Sequence, residues 1–150
     1  LHWFTIGITL ACLIYNTVTD IRSRETSTAV IYICCVIIGV LQLIIKYQVS
    51  AFAYINHLAT ILFIIIIIQG LKRILGGRIG EGDYDVLLLL SLSAGWPGIC
   101  SVLIASGMAI LVVTLPLLIT KVITRTTRWP CVPFFLVGYL TYLILGGIMG

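Results

Sequence analysis

The chain has 150 residues, 61% of them hydrophobic and 9% charged, with a formal net charge of +4 and a mean hydropathy of +1.21. A soluble domain carries about a quarter charged residues, and a surface this poor in charge would set large apolar patches against water, so a water-soluble domain of any size is excluded. Lipid suits this composition: at about 20 apolar residues per helical span, the length accommodates about six spans with short loops in one membrane-embedded domain over residues 1–150.

In chain order, the first apolar stretch runs from about Trp3 to Val18, the second from Ala29 to Ile45 and the third from Ala51 to Leu71. The third contains the run from Ile61 to Ile68, rich in β-branched residues. In water such a run favours a strand, but in lipid each segment must satisfy its own backbone, so helix is expected. The fourth stretch begins near Val86, or earlier if 80–85 is already helical, and stops at Gly95-Trp96-Pro97-Gly98. The fifth covers Ile99 to Ile119, where Pro116 is expected to bend it, and the sixth covers Val132 to Met149. The predicted fold class is therefore all-α, a polytopic membrane protein of about six transmembrane helices.

Of the nine Lys and Arg residues, Arg22, Arg24, Lys72, Arg73, Arg78, Lys121, Arg125 and Arg128 lie on loops one, three and five, and only Lys46 lies on an intervening loop. Cationic loops face the cytoplasm, so both termini are predicted non-cytoplasmic and the expected location is the plasma membrane, multi-pass. These cations match an anionic inner leaflet, and the charge calls for no nucleic acid. Trp3, Trp96 and Trp129 read as interfacial anchors. Cys12, Cys34, Cys35, Cys100 and Cys131 form no C-x-x-C and have no His at ligand spacing; most sit in apolar runs, where a thiol behaves as a small hydrophobe. Neither a metal nor a cofactor is expected.

The acidic residues are few and grouped. Asp20 and Glu25 follow the first span; Glu81, Asp83 and Asp85 precede the fourth; the chain has no others. Glu25 and Glu81 read as solvated loop charges. Asp20 ends an apolar helix, and Asp83 follows Gly80 and Gly82, which allow close backbone approach and help aim a carboxylate. Two carboxylates held together share a proton at intermediate pH. One then serves as general base on water and the other as general acid toward a carbonyl, which is the equipment for hydrolysing a peptide bond without metal, Ser or Cys.

These residues resemble a known family. Thr19-Asp20-Ile21-Arg22-Ser23-Arg24 is similar to the D-x-R-x-R motif after the first catalytic helix of type IV prepilin peptidases. Gly80-Glu81-Gly82-Asp83 is similar to their G-x-G-D motif, shared with presenilin-like intramembrane aspartyl proteases, and Pro130-Cys131-Val132-Pro133-Phe134 with Gly138 resembles the segment opening their last helix. The order of motifs and the six-span layout extend the resemblance over essentially the whole chain. It implies an aspartic-type endopeptidase of the short, peptidase-only form. Asp20 and Asp83 would be catalytic, with Gly80, Gly82 and Asp85 as motif-supporting residues. The implied substrates are pilin-like precursors with a short basic leader, cut at the cytoplasmic boundary of the lipid bilayer.

The chain departs from that pattern at two places. Glu25-Thr26-Ser27-Thr28 stands where the family has Ile-Pro-Asn, and Asp85 stands where a lysine is common. Asp85 is thus a competitor for the catalytic role, with spacing favouring Asp83; Tyr84 is a further candidate to line the site. Two other readings stay open: a small proton-coupled carrier with Asp20 and Asp83 as a relay, and a scaffold that has lost its catalysis.

Overall fold

The structure, a computed structural model, describes residues 2–23, 26–75, 81–119 and 131–149. Expectations placed on Arg24, Glu25, Arg78, Gly80, Lys121, Arg125, Arg128, Trp129 and Pro130 concern positions outside these residues. Every described element is a helix: α1 (His2–Ser23), α2 (Thr28–Val49), α3 (Ala51–Leu75), α4 (Glu81–Ile119) and α5 (Val132–Met149). Three stretches, His2–Ser23, Thr28–Gln48 and Gly98–Leu117, are long and apolar enough to cross a membrane, and Tyr54–Gly70 and Val132–Gly146 are shorter apolar helices. The isoleucine run lies wholly within α3, as expected where backbone groups must bond inside their own segment.

α4 begins at Glu81, ahead of the apolar run that starts at Val86. Acidic residues suit the positive end of a helix, so Glu81, Asp83 and Asp85 extend the element toward its N-terminus. Within α4, Gly95 has φ 71° and ψ 179°, a combination open in practice only to glycine. Contacts with α5 show what happens there. Cys131 lies beside Asp83, and the Ser93 hydroxyl meets the Tyr139 hydroxyl at 2.7 Å, so the first part of α4 runs parallel to α5. Beyond the break, a Cβ on Gly98 would meet the Tyr142 ring and one on Gly138 would meet Ser106 and the Val102 carbonyl. The second part of α4 therefore runs back antiparallel to α5. Gly95 is a reversal between two rods, and the sequence break at Gly95-Trp96-Pro97-Gly98 falls on it.

Packing follows from these directions. Cys12 and Leu13 of α1, Ile31, Cys35 and Ile38 of α2, Val86, Leu89, Leu90 and Val102 of α4, and Val132 and Tyr139 of α5 form one buried cluster. Ile64 and Ile68 of α3 make a smaller cluster with Tyr84. Between membrane helices there is no water to expel, so close packing and hydrogen bonds hold the bundle, and small residues let backbones approach. Gly138 against Ser106 is such a contact. Ile66, Ile104 and Val112 stand exposed on the outside of the bundle, where hydrocarbon is the natural solvent.

Candidate active site

The end of α1 and the starts of α2, α4 and α5 meet at one end of the bundle, and all the described acidic side chains lie there. On a helix, successive residues point about 100° apart, and Asp83, Tyr84 and Asp85 show the consequence. Asp83 faces the start of α5, where its charge bears on the Cys131 thiol. Tyr84 is buried toward α3 among Ile64 and Ile68. Asp85, also buried, faces α2 and accepts a hydrogen bond from the Tyr32 hydroxyl at 3.1 Å. Asp83 and Asp85 thus serve different neighbours, and Tyr84 turns away from both.

Asp20 comes to the same place from α1. It is buried, with 8% of its surface exposed, and its Oδ2 accepts the backbone N–H of Val132 at 3.3 Å. Cys131 caps α5 in the backbone sense, since its carbonyl accepts the N–H groups of Phe134 and Phe135. The first N–H groups of a helix have no partner within it; here Asp20 takes that of Val132, and Pro133 has none to place. The charges of both Asp83 and Asp20 are felt at Cys131. Burial, reinforced by those two carboxylates, pushes its thiol up to about 11, so at neutral pH it is an S–H donor.

Two further residues hold the rim. Asn16, fully buried one turn before Asp20, donates from Nδ2 to the Cys12 carbonyl at 2.9 Å and accepts the Ser27 N–H on Oδ1 at 2.9 Å. It fixes the start of α2 against the end of α1. Gly82 packs against Thr26, whose side chain occupies the space a Cβ would need. The glycine before Asp83 thereby lets α4 approach the turn that follows Asp20.

A second polar group lies at the other end of the first part of α4. The Thr9 and Ser93 hydroxyls meet at 2.9 Å, Ser93 meets Tyr139, and the Gln42 amide reaches the Ser93 carbonyl at 3.5 Å. A proline lacks the N–H that would bond four residues back, so Pro97 frees the Ser93 carbonyl and Gln42 meets it. Backbone irregularity at membrane depth needs such partners.

Among the described residues, no group of three or more His, Cys, Asp and Glu is arranged to hold a metal. The acidic end offers instead two carboxylates from different helices that bear on the 131–132 step, Asp20 through the Val132 N–H and Asp83 through its charge at the Cys131 thiol. No family model, curated protein or solved structure matches the chain. Asn16 was not singled out from sequence, and Cys131 was named only as a cysteine in an apolar chain and as part of the Pro130–Phe134 segment. Asn16 carried a signal, an amide four residues before an acid in an apolar helix; Cys131 carried its place in the segment before Val132 and Pro133, with no role read for its thiol.

Proposed function

We propose that this chain is a membrane aspartyl endopeptidase of the prepilin-peptidase kind, cleaving basic leaders from pilin-like precursors. One observation carries the reading: Asp20 and Asp83, from helices far apart in sequence, both bear on the first residues of α5, while Asp85 is engaged by Tyr32 on another face.

The chemistry follows from a carboxylate pair holding one proton. The ionised member takes a proton from water as its oxygen attacks the scissile carbonyl carbon. The protonated member gives its proton to the carbonyl oxygen, so a neutral gem-diol forms. On collapse, the diol returns a proton to one carboxylate, the leaving nitrogen receives the other, and the C–N bond breaks. Six spans with both termini outside the cytoplasm put the dyad at the cytoplasmic face of the plasma membrane, where Arg22 and the other loop cations belong. The precursor's basic leader would meet the acidic end, and its apolar helix would pack among the spans.

The test is co-expression with pilin-like precursors, with cleavage read as a size shift. Cleavage that disappears in both Asp20→Asn and Asp83→Asn supports the dyad; cleavage that survives either one sinks it.

A second reading draws on Gly95. Discontinuous helices lined by polar groups are a mark of transporters, and the reversal beside Ser93, Thr9 and Gln42 has that form. A carrier would give solute- or proton-driven flux in liposomes with no proteolysis.

A further inference from the structure

The chemistry proposed for the acidic end uses Asp20 and Asp83 and leaves Asp85 without a task. Asp85 is 5% exposed, and its Oδ1 accepts the Tyr32 hydroxyl at 3.1 Å. A phenol brings a proton to share but no charge, and among the described residues no cation pairs with Asp85. A carboxylate taken out of water is costly until a cation or further donors reach it, and at a membrane boundary such a group pairs or serves a ligand. Tyr32 is 50% exposed and its contact with Asp85 is only partly buried, so a side chain arriving along α2 meets the pair without entering the core.

We propose that Asp85, with the Tyr32 hydroxyl beside it, is a subsite for a cationic side chain, Lys or Arg, in the leader of the precursor. That the cation belongs to a leader rests on the peptidase reading; that the pair takes a cation does not. The subsite also has a register. Residues two apart on a helix point about 200° from one another, so Asp83 and Asp85 stand on nearly opposite sides of a rod about 10 Å across with its side chains. Extended peptide covers that distance in about three residues at ~3.3 Å each. Asp85 therefore reads a leader residue about three positions before the scissile bond, while Asp20 and Asp83 work on the bond itself.

Binding is read first, without cleavage. The full chain in phosphatidylcholine vesicles, whose neutral surface does not compete for a basic peptide, is titrated with synthetic leader peptides. Each lysine of the leader is replaced by glutamine in turn. In wild type, replacement about three positions before the bond should weaken binding by roughly fivefold; in Asp85→Asn the same replacement should change it by less than about twofold. Asparagine keeps the shape of the side chain and an oxygen for Tyr32. A peptide with glutamine at every leader lysine should bind wild type and Asp85→Asn alike, which reports that the variant is folded.

The cleavage assay then carries the same comparison into kinetics. With cleavable precursors the coupling should appear in KM, with kcat held within about twofold, because an interaction made equally in ground and transition states changes KM alone. Equal losses on lysine and glutamine peptides in Asp85→Asn make Asp85 a structural residue and overturn the proposal, leaving the peptidase intact. A fall in kcat at unchanged KM places Asp85 in the reacting pair and overturns it as well. A chain that cleaves no precursor, yet shows the coupling in binding, overturns the peptidase reading and leaves the cation subsite standing.

Discussion

The two polar regions of this bundle are built on opposite plans. At the reversal beside Gly95, hydroxyls and an amide are satisfied by one another and by a freed carbonyl: Thr9, Ser93, Tyr139 and Gln42 form a chain of donors and acceptors that contains no carboxylate. At the acidic end, Asp20 has a single donor among the described residues, the Val132 N–H, although a carboxylate accepts about four hydrogen bonds. A satisfied network in a low-dielectric interior fixes structure; a buried acid with a single donor there is costly and is a candidate for chemistry. On the peptidase proposal, stability belongs to the first region and reaction to the second.

The sharpest break would come from the aspartates. Asp20→Asn and Asp83→Asn should each lower cleavage by roughly a thousandfold or more, within the range that general acid–base groups supply. Asp85→Asn should cost less than about tenfold, about 1.4 kcal/mol of barrier, since Asp85 faces α2 and Tyr32. A dead Asp85→Asn beside an active Asp83→Asn would reverse the assignment.

Next in size is the approach of α4 to the turn after Asp20. Gly82→Val places a side chain where Thr26 already lies, and overpacking of this kind costs about 1–3 kcal/mol. Both thermal stability in detergent and cleavage should fall, and Thr26→Ala in the same chain should recover part of each. Gly95→Ala sets the contrasting case: the residue's dihedrals are essentially closed to alanine, at a cost of about 1–3 kcal/mol. Stability should fall while the pH profile of cleavage keeps its limbs, because the break lies at the end of the first part of α4 remote from Asp83.

How much of this was legible follows from what each feature depends on. Helix and the Gly95 break could be read because composition forces helix in lipid and because glycine and proline punctuate a chain locally. Asp20, Asp83 and Gly82 stood out because acids are scarce in an apolar chain and a paired glycine motif is visible by eye. The separate directions of Asp83, Tyr84 and Asp85 follow from helical periodicity once α4 is known to begin at Glu81, but the apolar pattern alone starts that helix at Val86, which leaves all three in a loop. Asn16 and Cys131 meet neighbours brought by other helices, Ser27 and Asp83 respectively, and no local pattern encodes such neighbours. A cysteine in an apolar run looks the same whether it faces lipid, as exposed Cys100 does on its side of α4, or a carboxylate.

The smallest expected effect tests the comparison from its quiet side. Tyr139→Phe removes one hydroxyl from the network at the reversal while keeping the buried ring, which is 1% exposed. With Thr9 donating to the Thr5 carbonyl, its oxygen accepts the Ser93 proton, so no buried donor is stranded, and hydrogen bonds between membrane helices average about 0.6 kcal/mol. Unfolding in detergent should register a loss of that order, and cleavage should not change. A double-mutant cycle with Ser93→Ala should give a coupling of the same size, because the two hydroxyls meet directly. If Tyr139→Phe instead cut activity a hundredfold at full stability, the network would be part of the reaction or of a transport path. The division between a structural end and a reactive end would then fail where it predicts the least.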